Sequence, residues 1–283
     1  MNIQKIWKCS GNDQRKMPVQ VWEKDLAILS NPKKVMEAAL TWQKIENRKE
    51  VILPLVQNLE GVAFGADIIK TENLWTTGDY PFSSLEEVDL NGISIIKDER
   101  IQAVIESIKQ LRDNKIILEV EAPFSILASL INPMELYGSM QTKPDLLNDI
   151  LNKITLEEQK YLKAVIEAGC TIISLAEPTG TIDMVGEKYF KEFSGRATVL
   201  LLEESQKFLK NSVVHLCGKL SSSMLVTNMA EEIIYPISSE EYLENLTEAA
   251  RNPKVHFTGQ HCIHQKKNPT GEIHVISLKK NRV

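Results

Sequence analysis

The sequence predicts an α/β protein folded as a (β/α)8 TIM-type barrel, and three observations support this prediction. Short apolar runs typical of buried parallel strands alternate with segments whose apolar residues recur at helical spacing. Neither Gly-x-Gly-x-x-Gly nor Gly-x-x-x-x-Gly-Lys-Ser/Thr occurs. These motifs are the best sequence markers of the nucleotide-binding doubly wound folds, so their absence disfavours those folds. Polar residues follow several predicted strands, which is where barrel enzymes carry their chemistry.

Five strands are predicted from the apolar runs at 51–56, 115–121, 170–176, 212–218 (with the exit from the strand) and 255–259. A first helix should begin with Asn31 as N-cap and Pro32 in the first turn, and continue to about Asn47. Further helices are predicted within 101–114, across 187–210 and after 238–241, and residues 57–96 read as a long irregular excursion. The capping-box sequence Thr155-Leu156-Glu157-Glu158 predicts that another helix opens there.

The composition excludes several classes of protein. Of the 283 residues, 43% are hydrophobic, which disfavours a disordered chain. The chain has only four Cys, which disfavours a disulfide scaffold, and its net charge of −5 disfavours a binder of nucleic acid. We expect a single barrel domain over residues 1–283, with an N-terminal arm at 1–30 and an edge-like or loose, basic C-terminal tail at 265–283. This length suffices for one large α/β domain with a proper core.

The sequence also predicts the cellular compartment of the protein. The first residues show no secretory signal, and no stretch approaches 18 uninterrupted apolar residues, so we expect a cytoplasmic protein without a membrane span. Thiols stay reduced in that compartment, so the four Cys need separate explanations. Cys9 and Cys170 are interpreted as packing residues.

Candidate metal ligands lie at the ends of two predicted strands. His215 and Cys217 are two residues apart on a strand and should point to the same side, and Cys262 follows the last strand. A His/Cys/Cys set suits Zn²⁺ and leaves a fourth position open, as in catalytic zinc sites. One alternative is that the thiols are buried packing residues. His261 and His264 flank Cys262 and are alternative ligands, although we interpret them as solvated loop residues.

Carboxylates complete the constellation of polar residues at the strand ends. Glu119 and Glu121 end the second predicted strand, and Glu177 follows the third and precedes Pro178. Glu177 is the candidate catalytic residue, either in zinc's open position or as proton acceptor for an incoming thiol.

Several segments then resemble the uroporphyrinogen decarboxylase superfamily, in particular its zinc-dependent methylcobamide:coenzyme M methyltransferase-like branch. The segment 121–125, Glu-Ala-Pro-Phe-Ser, is similar to the family's Gly-Pro-Phe-Thr, and 173–178, Ile-Ser-Leu-Ala-Glu-Pro, to its strand that ends in an acidic residue and Pro. The segments 190–193, Phe-Lys-Glu-Phe, and above all 214–218, Val-His-Leu-Cys-Gly, match as well. The resemblance spans about residues 50–264.

The resemblance implies a (β/α)8 barrel that transfers a methyl group from a methyl-corrinoid (cobalamin), carried by a partner protein, to a small thiol such as coenzyme M. It implies His215, Cys217 and Cys262 as zinc ligands and Glu177 as an acidic residue facing the pocket. The chain is shorter than is usual for this family, and the 45 positions from Cys217 to Cys262 are about one β/α unit too few, so the barrel is expected to be shortened or to lack one unit. The Gly-Gln-His-Cys-Ile-His sequence around Cys262 also departs from the family's loop. The alternatives are a metal-free decarboxylase of the uroporphyrinogen type and a non-catalytic homologue that binds a corrinoid protein.

Overall fold

A computed structural model describes residues 18–22, 24–71, 74–236, 239–264 and 271–279. Cys9 lies outside these residues. The helices within them are α1 Val19–Trp22, α2 Pro32–Ile45, α3 Leu59–Ala63, α4 Glu99–Gln110, α5 Pro123–Ala128, α6 Pro133–Thr142, α7 Pro144–Ala168, α8 Ile182–Tyr189, α9 Gly195–Ser205, α10 Gly218–Val226 and α11 Tyr242–Ala250. The strands are β1 Glu50–Leu53, β2 Ile68–Lys70, β3 Trp75–Thr77, β4 Lys115–Glu121, β5 Ile172–Ala176, β6 Val213–Leu216, β7 Ala230–Pro236, β8 Phe257–Gly259 and β9 Glu272–Leu278.

Seven of these strands form one sheet in the order β1-β4-β5-β6-β8-β9-β7. The first five in this order are parallel, whereas β9 runs antiparallel to both β8 and β7. Within the described ranges, β1 and β7 each pair with one neighbour, so the ladder of hydrogen bonds is not closed between them. The predicted α/β barrel is confirmed, in an imperfect and shortened form.

The two faces of the sheet carry different layers of the core. Residues such as Leu118 and Leu175 belong to a large apolar cluster that includes buried residues of α2, α4, α7 and α9. The alternate residues, among them Ile117 and Ile172, pack against Tyr242 and Leu246 of α11. Helix α11 therefore covers the face opposite to the other helices, where a complete barrel has its interior.

Most predicted elements are confirmed near their expected bounds. Strand β4 occupies the predicted residues, and α2 begins as expected because Asn31 Oδ1 accepts a hydrogen bond from the Lys34 amide at 3.1 Å. The predicted helix across 187–210 is observed as α8 and α9, joined by a π-helical turn at Phe190–Ser194.

The capping box at Thr155 is a wrong prediction. One helix, α7, runs without interruption from Pro144 to Ala168 and ends where Gly169 adopts a φ of 113°. The Thr155 hydroxyl donates to the Leu151 carbonyl at 2.7 Å, inside the helix, instead of capping its start. Because no Gly or Pro interrupts 145–168, nothing local ends the preceding helix.

The C-terminal segment also differs from the expectation of an edge-like or loose tail. Strand β9 lies inside the sheet between β8 and β7, and its Val275 and Ile276 are buried. Strand β7 was not predicted from the sequence, since only its first residue is buried and it lacks a regular alternation. Within the described part of the chain, no helix has both the length and the apolar composition needed to cross a bilayer.

Candidate functional site

Glu177 directly follows β5 and is completely buried. Its Oε1 accepts a hydrogen bond from the Ser125 hydroxyl and another, of 2.9 Å, from the Gly180 amide. Its Oε2 accepts from the Ser125 amide, at the start of α5, at 3.3 Å. Burial raises the pKa of Glu177 to about 7, although the bonds from Ser125 and Gly180 act in the opposite direction. Glu177 is therefore poised to take up or release a proton near neutral pH.

The loop after Glu177 is held against α5 and α6. The Ser125 hydroxyl also lies 2.7 Å from Thr179 Oγ1, and Tyr137 of α6 donates to the Thr179 carbonyl at 3.1 Å. Gly180 allows this close packing, because a Cβ there would lie 2.5 Å from Ser194 Oγ and 2.8 Å from a ring carbon of Phe124. The Ala-Pro-Phe-Ser segment and the strand-ending Glu-Pro, matched separately in the sequence, thus form one unit.

Three further carboxyl groups lie near Glu177. Burial, followed by the charges of Glu60 and Glu177, raises the pKa of Glu121 at the end of β4 to about 8. Burial likewise raises the pKa of Glu60 on α3 to about 8 and that of Glu158 on α7 well above its usual range. Glu60 is not among the residues predicted from the sequence, and Glu158 is predicted there only as part of a capping box. A signal for Glu158 exists, since it falls at helical spacing between Ile154 and Tyr161 on the apolar face.

His215 occupies the other face of the sheet, beside α11. Its Nε2 lies 3.0 Å from the carbonyl oxygen of His261, and its Nδ1 lies 3.2 Å from Thr258 Oγ1 and 3.4 Å from the Tyr242 hydroxyl. A carbonyl only accepts hydrogen bonds, so Nε2 carries the proton. Burial lowers the pKa of His215 to about 4, which keeps the ring neutral and makes Nδ1 the acceptor for the two hydroxyls.

This arrangement does not fit a zinc ligand, because neither ring nitrogen of His215 presents a free lone pair. Across the described ranges, no three His, Cys, Asp or Glu side chains are grouped so that they could hold a metal ion. Cys217 is the N-cap of α10 and Cys262 follows β8; both are partly buried, and neither is in a disulfide.

The remaining histidines near Cys262 have other contacts. His264 Nε2 lies 2.8 Å from Glu119 Oε1, so a histidine of the loop around Cys262 meets a carboxylate of β4. The His261 ring packs edge-on against Tyr242 at 5.2 Å and against His274 of β9 at 5.4 Å between ring centroids. Cys170 is buried, and its pKa is raised to about 12 by burial, as suits a packing residue.

These observations define a class: an α/β barrel protein, imperfect in its closure, with titratable residues gathered at the carboxyl ends of its parallel strands. The family profile described as "Uroporphyrinogen decarboxylase (URO-D)" matches residues 26–263. The chain belongs to the uroporphyrinogen decarboxylase family.

Several proteins to which the chain is similar are methyltransferases. Over 237 residues the chain is 27% identical to the methylcobamide:CoM methyltransferase MtaA of Methanosarcina barkeri, a match that covers 78% of this chain and 66% of that protein. It is 23% identical over 149 residues to the methylcobamide:CoM methyltransferase MtbA of Methanosarcina acetivorans, covering 50% of this chain and 43% of that protein. The chain thus spans slightly less than two thirds of the length of MtaA.

A solved structure supports the fold. A methyltransferase from Methanosarcina mazei superposes with a TM-score of 0.60 at 23% identity, covering 80% of this chain and 70% of that chain. The resemblance to the methylcobamide:coenzyme M methyltransferase-like branch, drawn from the sequence, is confirmed by these comparisons.

Proposed function

We propose that this chain is a cytoplasmic, corrinoid-dependent methyltransferase that moves a methyl group from a methyl-corrinoid, carried by a partner protein, to a small thiol such as coenzyme M. Similarity to the MtaA and MtbA methyltransferases supports the reaction class. The observation that carries the proposal for the site is the buried carboxyl of Glu177, with its Ser125 and Gly180 donors, at the end of a parallel strand.

In the proposed reaction, the Glu177 carboxylate takes the proton of the thiol. A free thiol has a pKa near 8.5 and only its thiolate attacks well, so an acceptor with a pKa of about 7 helps to form it near neutral pH. The thiolate sulfur then forms a bond to the methyl carbon as the cobalt–carbon bond breaks. The electron pair of that bond stays on cobalt, which is reduced from Co(III) to Co(I) as the donor product leaves.

Zinc binding by His215, Cys217 and Cys262 is part of the proposal, and it requires a change at His215. Nδ1 has to give up its contacts with the Thr258 and Tyr242 hydroxyls before its lone pair can face a metal, whereas the Nε2 hydrogen bond to the His261 carbonyl can stay. A bound zinc ion would supply a positive charge that holds the substrate as its thiolate. Because the described arrangement of His215 does not fit the ion, no step above passes through the metal.

Metal analysis of the purified chain after incubation with Zn²⁺ tests the ligand set. We expect about one equivalent of zinc, lost in Cys217→Ser and Cys262→Ser and retained in Cys170→Ser, whose buried thiol serves as the matched control. Less than about a tenth of an equivalent in the unmodified chain would refute the zinc site.

The reaction is tested with methylcobalamin as donor and coenzyme M as thiol, followed by the spectrum of the corrinoid and by loss of free thiol. We expect Glu177→Gln to lower the rate about a hundred-fold, the usual scale for a lost proton acceptor, and Glu167→Gln on the exposed side of α7 to leave it unchanged. Turnover at the same rate in Glu177→Gln would exclude the proposed role of Glu177. Decarboxylation of a uroporphyrinogen that survives chelation would instead favour the metal-free enzyme, and corrinoid-protein binding without turnover would favour the non-catalytic homologue.

A further inference from the structure

Four carboxyl groups on four neighbouring segments act on one another through their charges. Glu60 lies on α3, Glu121 ends β4, Glu158 lies in the middle of α7 and Glu177 follows β5. Helix α3 contacts β4 and α5, and α5 contacts α7, so these elements pack in succession. The proposed reaction uses only Glu177.

Glu60 and Glu158 are the unusual members of this carboxyl cluster. Both residues have no exposed surface. Within the described ranges neither carboxyl oxygen of Glu158 has a hydrogen-bonding partner, and the Glu60 carboxyl is opposed only by backbone amides of Glu60 and Glu121, whose effect on its pKa is smaller than that of burial. The hydroxyl of Tyr161, also fully buried, lacks a partner there as well, and its pKa is raised by burial and then by the charge of Glu60. An ionised carboxylate in such surroundings is very costly, so these groups hold protons at neutral pH.

The basic side chains on the neighbouring helices do not neutralise the negative charge that these carboxyl groups would carry when ionised. Arg100 of α4, which packs against α3, is bound to Asp98 at 2.6 Å. Arg196 of α9, which packs against α7, donates to the amide oxygens of Asn148 and Asn152. The charges that act on Glu158 are those of Glu60, Glu177 and Glu121, all of the same sign. In the described part of the chain no three acidic groups converge as metal ligands, so protons must balance the carboxyl cluster.

We propose that the buried Glu60 and Glu158, together with the partly buried Glu121, form a proton store coupled to Glu177. A proton taken up by Glu177 is then shared among neighbouring carboxyl groups, so the charge of the site changes less than it would at an isolated residue. The use of this proton in methyl transfer rests on the proposed function. The existence of the proton store does not rest on the proposed function, and its bound protons can be measured without turnover.

The pH dependence of unfolding by urea tests the store. Groups whose pKa in the folded chain exceeds the unfolded value bind extra protons when folded, so stability is full below about pH 4.5 and falls as the pH rises through about 8. We expect Glu158→Gln, and separately Glu60→Gln, to reduce the proton difference between folded and unfolded chain by about one. Glu167→Gln, exposed on the same helix as Glu158, should retain the full pH slope. An unchanged slope in both buried variants would overturn the store.

Two further measurements complete the test. The first needs no variant, so it remains possible if the variants fail to fold, and the second tests the coupling to Glu177. Infrared spectra of the unmodified chain should show the carbonyl band of protonated carboxyl groups at about pH 6 and a weaker band at about pH 9, where Glu60 and Glu121 are ionised. Absence of the band at the lower pH would contradict the proposal. Carbon-13 NMR of the Glu177 carboxyl should show a broad titration that narrows toward a single-site curve in Glu158→Gln. A curve of unchanged width would overturn the coupling, whatever the methyl-transfer assay shows.

Discussion

Removal of the Ser125 hydroxyl should raise the pKa of Glu177 further. In the folded chain this hydroxyl donates to Glu177 Oε1, and the bond favours the charged carboxylate. The variant Ser125→Ala deletes that donor, while the amides of Ser125 and Gly180 stay in place. Because the variant lacks a hydrogen bond that lowers the pKa of Glu177, this pKa should rise above about 7.

The size of this shift follows from the burial of both partners. A hydrogen bond to a charged group contributes about 1.5–3 kcal/mol, which corresponds to roughly 1–2 pKa units. Both residues are almost inaccessible to solvent, so little screening reduces the effect. With a shift of about one unit, the ionised fraction of Glu177 at neutral pH falls from about a half to about a tenth. Methyl transfer should then slow about five-fold at pH 7 and recover at higher pH.

Carbon-13 NMR of labelled glutamate reads the pKa directly, and the pH profile of methyl transfer reads its consequence. Ser139→Ala is the matched control, because Ser139 is also buried on a helix but its hydroxyl has no partner among the described residues. We expect an unchanged Glu177 titration in this control. A Glu177 pKa that stays constant or falls in Ser125→Ala would refute the assigned hydrogen bond.

Three substitutions test the packing, each by urea unfolding with the exposed Leu156→Ala as a near-neutral reference. Tyr242→Ala should cost about 3–5 kcal/mol because the buried ring fills the space beside α11, and a loss under about 1 would contradict that packing. Gly180→Ala should cost about 1–3 kcal/mol, since its new Cβ overlaps neighbouring side chains, and an unaffected stability would argue against the close approach. Ile276→Ala should cost about 2–5 kcal/mol if β9 is an interior strand, whereas a loose tail predicts almost no loss.

Local patterns predicted the elements whose signal lies within a short segment. The run at 115–121 is β4, and Asn31 with Pro32 begins α2, because apolar runs and caps act over a few residues. The Thr155 prediction was wrong for a related reason: a Thr-x-x-Glu pattern occurs inside a helix as well as at its start, and packing of α7 decided between the two. The burial of β9 could not be predicted, since it depends on pairing with β8 and β7.

The sequence by itself determined the α/β class, the family and the place of Glu177 at the end of a buried strand, since these depend on local runs and matched segments. Only the tertiary structure decided what surrounds the candidate residues. In the folded chain the Ser125 hydroxyl donates to Glu177, and the charges of Glu60, Glu121 and Glu177 act on Glu158. The ring of His215 faces the His261 carbonyl. Such neighbours are distant in the chain, and hydrogen bonding, burial and charge depend on distance in space.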